Sequence, residues 1–128
     1  MLANRNPTDN TIEALRSLRT SLNFAMPDAS NNNIMMISGP SPNVGKSFVS
    51  DNLAAVIAQA GQRVLLIDMD LRKSYMHKMF DMSPEDGVSD VLNKRVDLEK
   101  AIKPRQINDL FLLPRGAIPP NPSELLVQ

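Results

Sequence analysis

Apolar side chains recur every three or four positions near the start of the chain. This spacing predicts an amphipathic helix over residues 11–24. Asn10 precedes the apolar positions, and Glu13 lies three residues after Asn10. This spacing is typical of a capping box with Asn10 as the N-cap. The polar residues after Pro27 predict a loop. The apolar positions that carry the pattern are Ile12, Leu15, Leu18 and Leu22.

Three short apolar runs further along the chain predict strands. Residues 34–37 and 64–67 are uninterrupted apolar runs, which predict strands buried on both faces, and residues 110–113 predict a third strand. Residues 46–60 predict a helix that ends at Gly61. The first two strands and this helix form a βαβ unit with parallel strands and a right-handed crossover. Shorter helices are expected near residues 75–80, 88–93 and 98–102, and from Ser123 onward.

The composition is that of a globular domain and excludes several classes of function. Of the 128 residues, 42% are hydrophobic, and 14 basic residues balance 14 acidic ones. A net charge of zero provides no general attraction to nucleic acid or to anionic lipid, so we expect neither partner. Cysteine is absent and His77 is the only histidine, which excludes thiol chemistry and multi-histidine metal sites. No apolar run is long enough to insert into a membrane, and we expect this segment to be cytoplasmic.

A glycine-containing loop between the first predicted strand and the helix is the strongest chemical signal. In P-loops, such a loop and the start of the following helix present backbone N–H groups to phosphate oxygens. Gly45 allows close approach of the backbone, Lys46 would neutralise the β- and γ-phosphates, and Ser47 would offer its hydroxyl to Mg²⁺. The match is imperfect, because Pro40 stands where the usual pattern has its first glycine. An ordinary turn with a surface lysine is the alternative, and the strand and helix context favours the P-loop.

These elements predict the α/β fold class. We expect a doubly wound, mostly parallel sheet of the P-loop NTPase type with helices on both faces. Three predicted strands are about half of such a domain, so the fold is expected to be incomplete in this chain. Residues 1–128 are therefore interpreted as the N-terminal part of a single domain. Residues 34–128 would be its nucleotide-binding part.

Two acidic residues follow the second predicted strand. Asp68 and Asp70 lie at the carboxyl end of residues 64–67, and ligands gather at this end of the strands in open parallel sheets. If the strands are neighbours, both carboxylates lie in the same crevice as Lys46 and Ser47. One carboxylate could then position Mg²⁺ and the other could accept a proton from an attacking hydroxyl. The alternative is that Asp68 only caps a following helix.

Glu13, Arg16 and Arg19 form a stripe along one side of the first predicted helix. Their spacing fits an ion pair within the helix, which contributes a few tenths of a kcal/mol. It equally fits a contact between subunits, because the guanidinium fork suits carboxylates across an interface. The spacing alone leaves both interpretations open.

The chain resembles the bacterial tyrosine kinases (BY-kinases), and in particular the cytoplasmic kinase domain of the Gram-negative tyrosine autokinases of capsule and exopolysaccharide export. Five segments carry the resemblance, in the same order as in the family, and they extend through nearly the whole chain. They are residues 13–19 (EALRSLR), 41–47 (SPNVGKS), 64–73 (VLLIDMDLRK), 87–92 (GVSDVL) and 113–126, which contain LPRG and PPNPSELL.

The resemblance implies an ATP-dependent protein tyrosine kinase with a P-loop fold. Lys46 and Ser47 match the Walker A residues of the family. Asp68 and Asp70 match the Walker A′ carboxylates, which hold Mg²⁺ and activate the attacking tyrosine. Lys46 and the two aspartates would thus be catalytic, and Ser47 with the same aspartates would hold the metal. The nucleotide-binding segment would comprise Ser41, Pro42, Asn43, Val44, Gly45, Lys46, Ser47 and Phe48.

The resemblance also implies partners and a cellular location. The stripe of Glu13, Arg16 and Arg19 matches the family's ring-forming motif, so residues 11–24 would be an oligomerisation element of a homo-oligomeric ring. Besides ATP and ADP, the partner would be the tyrosine-rich tail of a neighbouring subunit. The parent protein would be anchored to the bacterial inner membrane. The family's Walker B strand and tyrosine tail are expected after Gln128, so we expect this chain alone to be inactive as a kinase.

Three alternatives remain on the sequence alone. A partition or septum-positioning ATPase of the ParA/MinD type shares the fold, but its signature lysine is replaced here by Ser41. A non-catalytic oligomerisation module would not need Lys46 together with Asp68 and Asp70. A glycosyltransferase would use the two aspartates to bind a sugar nucleotide through a metal, and it would leave the P-loop unexplained.

Overall fold

The computed structural model describes residues 9–26, 33–38, 46–71, 77, 80, 82–83, 85–104 and 107–127, with the backbone alone for residues 46 and 47. The elements along this part of the chain are α1 (Asn10–Ala25), α2 (Lys46–Gln59), β1 (Val64–Ile67), α3 (Val88–Leu92), α4 (Leu98–Ala101), β2 (Lys103–Pro104), β3 (Leu110–Leu113) and α5 (Pro122–Leu126). Within the described residues, no helix combines the length and the apolar composition needed to cross a membrane.

Helix α1 confirms the predicted amphipathic helix, although its N-cap differs. The cap is Asp9, whose carboxylate accepts a hydrogen bond from the Thr11 backbone N–H at 2.8 Å. The expected capping box on Asn10 is therefore wrong, because Asp9 is an equally good N-cap and starts the helix one residue earlier. Ile12 and Leu15 are the buried residues of the helix, and they pack against the core that contains α2.

Helix α2 is the central element of the larger core. It ends within one residue of the predicted position, and Gly61 follows with a φ of +95°, where glycine avoids the strain of a side chain. The helix packs on α1, β1 and β3. Its fully buried segment comprises Asp51, Asn52, Leu53, Ala54, Ala55 and Val56.

The sheet has the strand order β1-β3-β2. Strands β1 and β3 are parallel, with Val64 opposite Leu110 and Ile67 opposite Leu113, whereas β2 is antiparallel to β3. The predicted strands at residues 64–67 and 110–113 are thus confirmed. Strand β1 is not buried on both faces as expected, because Leu65 and Ile67 remain 41% and 46% exposed.

The strand predicted at residues 34–37 is wrong. A strand is defined by hydrogen bonds to a neighbour, and residues 33–38 pair with no strand in the described part of the chain. Ile34 and Met36 are both 86% exposed, whereas Ile37 packs against the core. The βαβ unit therefore lacks its first strand, and the parallel pair is β1 with β3 instead. The helix predicted near residues 75–80 falls mostly outside the described residues.

A tight corner joins α3 to the segment after β3. The Asp90 carboxylate accepts hydrogen bonds from the backbone N–H groups of Gly87 and Ala117, at 3.0 and 3.2 Å. The Val88 N–H donates to the Pro114 carbonyl at 2.8 Å. Gly87 lies so close to this segment that an added Cβ would stand 2.1 Å from the Pro114 oxygen. The corner thus requires the absence of a side chain at Gly87.

We expect Gly87→Ala to lower the free energy of unfolding by about 1–3 kcal/mol or more, because the new methyl group meets rigid backbone. Urea denaturation measures this change. The comparison variant is Gly61→Ala, which has open space around its Cβ and incurs only the cost of its positive φ, about 1–2 kcal/mol. An unchanged stability of Gly87→Ala would contradict the described corner.

Candidate functional site

The carboxyl end of β1 holds the two aspartates that the sequence singles out. The Asp68 N–H donates to the Leu113 carbonyl at 3.0 Å, so the pairing with β3 extends into the site. The Asp68 carboxylate in turn accepts a hydrogen bond from the Asp70 backbone N–H at 3.1 Å. This local turn fixes the orientation of one carboxylate oxygen of the half-buried Asp68.

The start of α2 provides the second part of the predicted site. Lys46 and Ser47 occupy its first two positions, where helix N–H groups lack partners within the helix and suit anions. Phe48 is 36% exposed, and its carbonyl accepts a hydrogen bond from the Asn52 side chain at 2.9 Å. The rest of the predicted loop, residues 41–45, lies outside the described residues, as do the side chains of Lys46 and Ser47.

A third carboxylate, Asp51, lies at this site and was missed by the sequence reasoning. It is 2% exposed on α2, one helical turn beyond Ser47. The Ser50 hydroxyl donates to it, but its Oδ2 atom is buried and accepts no hydrogen bond from the described residues. Burial, and secondarily repulsion by Asp68, raises the pKa of Asp51 to about 7. The available signal was weak: Asp51 is the one acidic residue of α2 and lies between Ser50 and Asn52, with apolar residues on either side of these three.

The donor atoms at this site suit a hard divalent cation. Among the described residues, no cluster of three or more acidic or histidine side chains could enclose a metal. Mg²⁺ in nucleotide sites is usually held by one or two carboxylates together with phosphate oxygens and water. The carboxylates of Asp68 and Asp51 fit that requirement, and Oδ2 of Asp51 has no hydrogen-bond donor among the described residues.

The predicted stripe on α1 makes its described contacts within the chain. Arg16 forms an ion pair with Glu13 one turn earlier in the helix. The Arg19 guanidinium donates to the Val56 carbonyl of α2 at 2.9 Å and helps to hold the two helices together. The guanidinium carries further donors beyond this bond, so the contact does not decide between the two interpretations of the stripe.

Comparison with protein families identifies the class of this fold. A family model described as the AAA domain matches residues 33–118. The structure resembles the septum site-determining protein MinD of Pyrococcus horikoshii complexed with Mg-ADP, with a TM-score of 0.58 and 28% identity over 70% of this chain and 36% of that one. The fold is therefore an α/β fold of the P-loop NTPase type, which implies nucleotide binding.

Two further relatives are more similar. A protein of Klebsiella pneumoniae described as a putative tyrosine-protein kinase in the cps region is 54% identical over 99% of this chain and 18% of its own length. The kinase domain of the Escherichia coli tyrosine kinase ETK has a TM-score of 0.92 and 51% identity over 98% of this chain and 49% of that one. The chain belongs to the AAA domain family. Its matches also support a segment of a bacterial tyrosine kinase domain, which confirms the resemblance seen in the sequence.

The matches cover nearly all of this chain but only part of each relative. The chain spans about half the length of the solved ETK kinase domain and 18% of the Klebsiella relative. The ParA/MinD alternative is less favoured, because identity to MinD is 28% compared with 51% for the kinase domain.

The raised pKa of Asp51 predicts a pH-dependent stability. Below pH 3.8 the group is protonated in both states, whereas between 3.8 and about 7 only the unfolded chain releases its proton. The free energy of unfolding of the wild type should therefore fall as the pH rises through this range, by at most about 4 kcal/mol. Asp51→Asn should remove this loss and be more stable than wild type at pH 8, with no advantage at pH 3.5.

Urea denaturation at both pH values measures the difference between the variant and wild type. Asp97→Asn controls for the loss of one negative charge, because Asp97 is an exposed carboxylate at the start of α4. A stability difference between Asp51→Asn and wild type that is independent of pH would show that Asp51 is not the titrating group.

Proposed function

We propose that this chain forms the nucleotide-binding part of an ATP-dependent protein tyrosine kinase, an autokinase that regulates polymerisation and export of capsular or extracellular polysaccharide. The observation that carries the proposal is the placement of Asp68 at the end of β1, together with 51% identity to a solved tyrosine kinase domain. The polysaccharide role is supported by the name of the Klebsiella relative, which places it in a cps region.

The proposed chemistry gives Lys46, Ser47, Asp68 and Asp70 roles in phosphate binding, cation binding and proton transfer. Lys46 binds the β- and γ-phosphates and concentrates positive charge where phosphoryl transfer develops negative charge. Ser47, Asp68 and Asp70 hold Mg²⁺, which offsets phosphate charge when it is bound. One of the two aspartates accepts the proton of the attacking tyrosine hydroxyl. The hydrogen bond from Asp70 N–H to Asp68 supports the role of Asp68, because it orients the Asp68 carboxylate before any ligand binds.

Nucleotide binding by this chain should depend on Lys46. We expect Lys46→Met to weaken binding of a fluorescent ATP analogue in the presence of Mg²⁺ by roughly tenfold or more, because the neutral side chain leaves phosphate charge uncompensated. Lys100→Met is the matched control, since Lys100 is an exposed lysine in α4. Equal affinities of Lys46→Met and wild type would remove the basis for the proposed site.

Kinase activity requires a tyrosine acceptor, which we propose lies in a tail on a neighbouring subunit. In a complete kinase domain that carries this segment, Lys46→Met should abolish autophosphorylation detected with phosphotyrosine antibodies. We propose that the 128-residue chain alone is inactive as a kinase. It spans about half of the solved ETK kinase domain, and phosphoryl transfer needs every charged group of the complete site in position. Lys46-dependent labelling of a tyrosine-rich peptide by the chain alone would show that Asp68 and Asp70 suffice.

We further propose that Glu13, Arg16 and Arg19 contribute to a homo-oligomeric ring. Replacing both arginines by Ala in a complete kinase domain should lower the mass measured by size-exclusion light scattering from oligomer to monomer. Arg19→Ala also removes the hydrogen bond to Val56, so its stability is measured in parallel. The exchange Glu13→Arg with Arg16→Glu retains the ion pair within the helix but interchanges the positions of the two charges that a neighbour would contact. An unchanged mass in both variants would show that the stripe makes contacts within the chain and none between subunits.

A further inference from the structure

Asp51 is a buried acidic side chain that neither the fold nor the proposed function explains. It begins the buried segment of α2, in which Asn52 is the other polar residue and the remaining four positions are apolar. A buried carboxylate without full hydrogen bonding destabilises a fold, and a neutral Asn would fit the same space. An aspartate at position 51 therefore points to a ligand that binds the negative charge of the carboxylate.

The surroundings of Asp51 identify the charge of that ligand. Asp68 acts on Asp51 through Coulomb repulsion, so the two carboxylates lie near each other across the contact between α2 and β1. One oxygen of Asp51 is served by the Ser50 hydroxyl, while Oδ2 accepts no hydrogen bond from the described residues. Two neighbouring carboxylates repel in the absence of a cation and attract a divalent cation strongly in a poorly hydrated site.

We propose that Asp51 is a further carboxylate of the divalent-cation site, supplied by α2 opposite Asp68. This inference rests on the proposed function, because it extends the same Mg²⁺ site. Asp51 lies one helical turn beyond Ser47, the predicted hydroxyl ligand, so α2 brings both residues to the site. Asp51 contributes negative charge to the cation site and takes no part in proton transfer from tyrosine.

The test measures cation affinity and stability of the same variants. The full 128-residue chain is titrated with Mn²⁺ in the presence of ADP, and free Mn²⁺ is followed by electron paramagnetic resonance. Asp51→Asn should weaken Mn²⁺ binding roughly tenfold or more, as losses around a metal site typically do. The same variant should be at least as stable as wild type at pH 8. A purely structural role cannot produce weaker binding together with undiminished stability.

Two further variants separate this inference from the proposed function. Asp68→Asn should also weaken Mn²⁺ binding, whereas Asp97→Asn should not. Unchanged affinity in Asp51→Asn with a loss in Asp68→Asn would overturn the role of Asp51 and leave the proposed function intact. Wild-type affinity in both Asp68→Asn and Lys46→Met, or no Mn²⁺ binding by the wild-type chain, would contradict the proposed function itself and the inference with it.

Discussion

The parallel pairing of β1 with β3 is the constraint on which the site depends. Its register sets Ile67 opposite Leu113, and hydrogen bonds from Val64 N–H to Asp109 and from Asp68 N–H to Leu113 continue the ladder at both ends. Asp68 is therefore held by backbone pairing before its side chain makes any contact. A slip of one residue would turn every side chain of β1 to the opposite face and remove the carboxylate from the site.

The corner between α3 and the segment after β3 supports the same edge of the sheet. Asp90 binds the N–H groups of Gly87 and Ala117, and Leu113 packs with Val88 and Leu125 in the smaller core. Residues 87–92 and 113–126 carry part of the resemblance to the tyrosine kinases. In this structure the two segments bind each other. Asp90 of the first accepts a hydrogen bond from the Ala117 N–H of the second, and the Pro114 carbonyl accepts one from the Val88 N–H. Each segment thus satisfies backbone or side-chain polar groups of the other.

The sequence predicted the elements whose formation is local. Helices α1 and α2 and strands β1 and β3 lie within one or two residues of their expected bounds, because periodicity, caps and Pro114 act over a few residues. The strand at residues 34–37 could not be settled in this way, because an apolar run becomes a strand only beside a partner. The prediction of the phosphate loop at residues 41–45 falls outside the described residues and stays a prediction.

Asp51 illustrates what pattern reasoning misses at a functional site. In the sequence, Asp51 between Ser50 and Asn52 resembles an ordinary polar position of a helix. The fold instead buries it near Asp68, and its Oδ2 atom accepts no hydrogen bond from the described residues. Repulsion and desolvation then act against stability in the absence of a cation, and the same two carboxylates become favourable when a divalent charge binds. Metal affinity and stability of the metal-free fold are therefore opposed at this position. A side chain that lowers stability while lying next to the proposed nucleotide site is best explained by the ligand that would remove its cost.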